Sequence, residues 1–239
     1  MSWPMSAPPP DPRDVSDPRE AAGKAGDKIF GEIQASLHGL ETPSWSALQG
    51  RISALETEAG AAVGRLGDYR RLPDRYPAAA AFDADVSMTK AKLSGLQQEA
   101  TALANQLKAE LTTGARPKVN SEREGFVRQD VANLLEGAGP DLARQLLDLA
   151  RGSHRDRAAV ALSDFTDAHL ARVMPDASQR AAFRQALDSA SLDGAITHGT
   201  VVEKRYAQAA KDAVKVQSWL ATRIQPALGR LRDAEAMRP

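Results

Sequence analysis

The sequence predicts an all-α protein: a long antiparallel coiled-coil helical hairpin, a compact cluster of shorter helices and a long C-terminal helix. Three observations predict it. Two stretches carry a seam at alternating spacings of three and four, first Trp45, Leu48, Ile52, Leu55, Ala59, Ala62, Leu66 and Tyr69, then Phe82, Val86, Thr89, Leu93, Leu96, Ala100, Leu103 and Leu107. That is a heptad pattern. Only residues 73–77 separate the two seams, and so short a connection sets neighbouring helices antiparallel. Strand signals are missing, because no alternating run of β-branched or aromatic residues reaches five positions.

Residues 1–16 hold five of the fourteen prolines and read as a polyproline-like tail, unable to build helix or core. Two roles fit such a tail: an untethered end, or an arm laid along a partner. Asp17-Pro18-Arg19-Glu20 supplies an N-cap, a first-turn proline and a capping-box glutamate. The helix it opens carries Ala22, Ala25, Ile29, Ile33 and Leu37 on one face and stops at His38-Gly39. Thr42-Pro43 repeats the start and opens the first long helix, to about Leu72, with glycines at 50, 60, 64 and 67. Each interior glycine costs about 1 kcal/mol against alanine, so close approach by another helix is the expected compensation. The small residues of Gly60-Ala-Ala-Val-Gly64 fit tight packing within the hairpin, with a self-association seam as the alternative. The second long helix runs from near Ala78 to just before Gly114 and Pro117, and antiparallel pairing sets Tyr69 against Phe82.

The predicted organisation is a tail over 1–16, helix and hairpin over 17–113, a linker over 114–120, a helical cluster over 121–195, and a long C-terminal helix over 196–239 packing back on the bundle. Cluster helices are expected over 121–136, 140–151, 154–173 and 175–189. Their core candidates are Phe126, Val131, Leu134, Leu135, Leu142, Leu146, Leu149, Val160, Leu162, Phe165, Leu170, Val173, Phe183 and Leu187. The last helix, about 200–232, should be kinked or divided at Pro226, which lacks a backbone donor and clashes with the preceding turn.

Composition narrows function. The 239 residues carry 31 Lys plus Arg against 31 Asp plus Glu, so no overall field draws the chain to nucleic acid or an anionic membrane. Nucleic acid is not the expected partner. The absence of cysteine removes disulfides, thiol nucleophiles and thiolate metal sites. The longest apolar runs are five residues, against the ~20 needed to cross a bilayer, and the first ten residues lack the basic and apolar regions of a Sec signal. A soluble chain is expected, whether cytoplasmic, exported by another route or part of a particle.

Catalytic, cofactor-binding and metal residues are not predicted. No two of His38, His154, His169 and His198 stand at the helical spacing that presents a pair to one metal. His154-Arg155-Asp156 matches the opening of a kinase catalytic loop, yet position 161 is alanine where that loop needs asparagine. The candidate partner-binding residues are Trp3, a large aromatic in a stretch with no core, and Arg65, Arg70, Arg71 and Arg75, a basic cluster at the hairpin tip. The expected function is a non-enzymatic helical structural or interaction protein, one subunit of a homo-oligomer or larger complex, such as a particle subunit or secretion-apparatus component. An exported helical substrate and a nucleic-acid-associated adaptor using the arginine tip are the alternatives.

Overall fold

A computed structural model describes residues 18–69, 75–236 and 238. Side chains are described from residue 23 onward and, past the break, from residue 79. Among the described residues the chain is all-helical. Its α-helices are α1 (Pro18–Leu37), α2 (Pro43–Asp68), α3 (Arg75–Gly114), α4 (Glu124–Glu136), α5 (Leu142–Arg151), α6 (Arg155–Ala161), α7 (Asp167–Val173), α8 (Ala177–His198), α9 (Val201–Asp212) and α10 (Val214–Glu235). No described helix is long and apolar enough to cross a membrane. The chain divides into two compact units. One gathers the described residues of Met1–Glu32 with Ile52–Gln97 and Ser218–Pro239; the other comprises Ile33–Arg51 and Gln98–Gln217. The predicted tail, the cap Asp17 and the connection up to Asp74 lie outside the described residues.

In the first unit, Ile52, Leu55, Ala59, Ala62 and Leu66 of α2 are buried, as are Phe82 and Leu93 of α3 and Trp219, Leu220, Ile224, Ala227 and Leu231 of α10. Tyr69 meets Phe82 edge-on, ring centroids 5.9 Å apart. α1 adds Phe30 against Trp219 at 5.6 Å, and Gly26, where a Cβ would stand 2.7 Å from Thr222 Oγ1. Glycine is what lets α1 come that near α10. Gly60 and Gly64 lie elsewhere: a Cβ at either would meet nothing within 4 Å, so they sit on an exposed face and the expected tight packing there does not occur.

Two apolar clusters of the second unit are described. Val127, Val131 and Leu135 of α4 pack with Leu142, Leu146 and Ala150 of α5, Val160 and Ala161 of α6, Leu170 of α7 and Leu187 and Ala190 of α8. Ala115, Ala195 and Ala207 form the other, with Leu192, Ile196 and Tyr206 against it. Tyr206 is confined on two sides, since a Cβ on Gly114 would lie 2.4 Å from its ring and its hydroxyl accepts from the Glu41 backbone N–H at 3.3 Å. Helix starts follow capping chemistry. The Asp176 carboxylate accepts from Ser178 and Gln179 N–H to open α8, and Thr200 with Glu203 forms a capping box on α9.

Several expectations are corrected. Phe126, Leu134 and Val173 were expected in the core but are 80%, 40% and 43% exposed. On α4 the buried stripe steps by four through 127, 131 and 135, and the neighbours at 126 and 134 turn out of it. The expected helix over 154–173 is interrupted by a 3-10 turn, Asp164–Thr166, which Ser163 caps. The last helix divides at Ala213, not at Pro226, and α10 runs through the proline. Pro226 removes one hydrogen bond, but Ile224, Ala227 and Leu231 bury that stretch of helix and hold it together.

Candidate interaction surface

Of the residues singled out for partner binding, Trp3, Arg70 and Arg71 lie outside the described residues, and Arg75 opens α3 with its side chain undescribed. Arg65 is described and engaged. Its Nε is 3.4 Å from Asp85 Oδ2 and its Nη2 is 3.4 Å from Glu58 Oε1. The same Nη2 donates to Thr89 Oγ1 at 3.3 Å, and Lys92 Nζ closes on Glu58 Oε2 at 2.6 Å. Burial works against the Arg65 charge, but Asp85 and Glu58 outweigh it and raise its pKa. The hydrogen bond from Lys92, opposed by burial and reinforced by the Lys92 and Arg65 charges, holds the Glu58 carboxyl below its ordinary value.

Asp85 and Thr89 are buried inside the apolar face of α3. Thr89 belonged to the predicted seam and Asp85 did not. The readable signal was spacing: Asp85 falls three residues after Phe82 and four before Thr89, on the buried stripe itself. A polar group there is tolerable because Arg65 reaches it from α2.

A second site lies in the other unit. Leu134 of α4, Gln145, Asp148 and Leu149 of α5, the connection Gly152-Ser153-His154 and Arg157 of α6 line a cavity of about 300 Å³. The two leucines make an apolar wall. Arg157 is fixed at the rim by Asp130, 2.6 Å from its Nε, while Asp148 is 66% exposed with Arg144 Nε at 4.0 Å. Gly152 turns the chain from α5 towards α6 with an extended backbone, and a Cβ there would press to 3.2 Å from the Asp148 carbonyl. Sequence reading missed this cavity by counting Leu134 as core. The clue was that Leu134 and Leu135 are adjacent, so one helix cannot bury both on the same face.

The kinase-like tripeptide has a structural role. Arg155 is 12% exposed and donates to the carbonyls of Ala150 at 3.1 Å and Ser191 at 3.4 Å, with Glu203 Oε2 3.9 Å from its Nε. Burial lowers its pKa and the Glu203 charge pulls it back. Among the described residues no three His, Asp or Glu side chains gather as a metal site requires.

The chain matches no protein-family model, no curated protein and no solved structure. Its own geometry is therefore what carries the functional reading.

Proposed function

We propose that this chain is a non-enzymatic structural subunit of a larger protein assembly, in which α2 and α3 form an antiparallel coiled-coil hairpin that sets the spacing of the parts. At 1.5 Å per residue, the 40 residues of α3 extend about 60 Å. The observation that carries the reading is Phe126, 80% exposed on a helix whose own core stripe is already filled. Leu134 on the same helix is 40% exposed, so α4 carries two apolar side chains beyond those its core stripe buries, and a large aromatic left in solvent is the kind of side chain that anchors protein–protein contact. The shifted ionisable groups support the same reading. Glu58, Arg65, Arg155 and Asp176 owe their displacement to ion pairs, burial and a helix cap, the chemistry of holding shape.

Light scattering behind a sizing column, across a hundredfold range of concentration, tests it. The expected result is a defined oligomer that Phe126→Glu weakens; a 25.5 kDa monomer at every concentration overturns it. The adaptor alternative gains nothing from Arg65, whose guanidinium already serves Asp85 and Glu58.

A further inference from the structure

We propose that the cavity between α4, α5 and α6 receives the indole of Trp3 from a second copy of this chain, so that copies exchange their proline-rich arms. This rests on the assembly reading above and names its contact.

Size is the first argument. About 300 Å³ is at the bottom of the range for small-molecule pockets and suits one aromatic side chain. The lining is the second. Leu134 and Leu149 offer an apolar wall, while Asp148 stands at the rim as an acceptor. An indole has one apolar body and one N–H that can only donate, so wall and carboxylate match its two ends.

The chain's other tryptophans are committed elsewhere, Trp45 and Trp219 being 7% and 4% exposed. Trp3 stands with Pro4 in the tail, and the stretch from Trp3 to Pro18 has a contour of up to about 50 Å. That is long enough to leave one subunit and reach another. Exchange between two copies is self-complementary: each gives one tryptophan and receives one, which closes the contact.

The test uses the full chain labelled with 5-fluorotryptophan, giving three ¹⁹F resonances that Trp3→Phe assigns. Leu134→Glu places a charge at the partly exposed cavity wall and leaves the core stripe of α4 intact. It should move the Trp3 resonance to the position of an unstructured peptide, leave those of Trp45 and Trp219 in place, and weaken association by about 30-fold or more, as loss of a hot spot does. Trp3→Ala should weaken association equally. Mixing the two variants supplies the complementation that mere misfolding cannot mimic, because one retains the pocket and the other the arm. A heterodimer should form, with twice the monomer mass, where neither variant associates alone. An oligomeric chain whose mass and Trp3 resonance ignore Leu134→Glu overturns the pocket while the assembly reading stands. A chain that is monomeric throughout overturns both, and failure of the mixture to associate overturns arm exchange.

Discussion

Arg65 reaches from α2 to within 3.4 Å of Asp85, a carboxylate buried in the apolar face of α3. A buried charge without its partner is strongly destabilising, whereas an apolar pair of similar shape is often neutral. Arg65→Met should lower unfolding free energy by about 1–2 kcal/mol, less than for a fully buried pair because water reaches the guanidinium. The double variant Arg65→Met with Asp85→Leu should recover most of that loss, as read by urea denaturation. A double variant less stable than Arg65→Met alone would show that Asp85 is not a costly unpaired charge in the single variant.

The acid limb of stability should report Glu58. Its folded pKa lies below the ordinary value because Lys92 and Arg65 favour the carboxylate, so the stabilisation is present above the unfolded pKa and disappears as pH falls through the folded one. Glu58→Gln should lower Tm at pH 7, and the gap from wild type should close between about pH 5 and pH 3. A gap unchanged at pH 3 would assign the effect to shape, not charge.

Gly60 and Gly64 face open space on α2. Replacing either by alanine should stabilise the chain by about 0.5–1 kcal/mol, since helical glycine loses backbone entropy for no packing return. Thermal unfolding of the single variants and the pair checks this.

Gly194 is the opposite case. A Cβ there would stand 2.6 Å from both the Ala150 carbonyl and Arg155 Nη1. Gly194→Ala must push back α5 or expel a buried guanidinium, and should destabilise by about 1–3 kcal/mol. If calorimetry shows it neutral, the α5–α8 approach is looser than described.

Periodicity made the helices of this fold legible, because apolar spacing follows from how a helix meets a core. It was less informative wherever two registers competed. On α4 both 126/134 and 127/131/135 offer apolar residues, and only packing against α5 and α6 decided for the second. The division at Ala213 had no local sign, since neither glycine nor proline stands there, while the proline that did stand out, Pro226, lies inside α10. The Arg65 cluster was visible as charge, but its ties to Asp85 and Glu58 depend on which turns of α2 and α3 come level. The Leu134 cavity is assembled from three helices and a connection, a juxtaposition that no single segment encodes.

Tyr206 also constrains how this sequence can evolve. Its ring occupies the space a side chain at position 114 would need, and its hydroxyl serves the Glu41 N–H. A lineage cannot acquire alanine at 114 first, because the clash precedes any benefit. Shrinking residue 206 first would make room at 114 but withdraw a ring from the Ala115, Ala195 and Ala207 cluster. Positions 114 and 206 are therefore bound in mutational order, whereas position 41 offers only a backbone N–H that any residue but proline supplies.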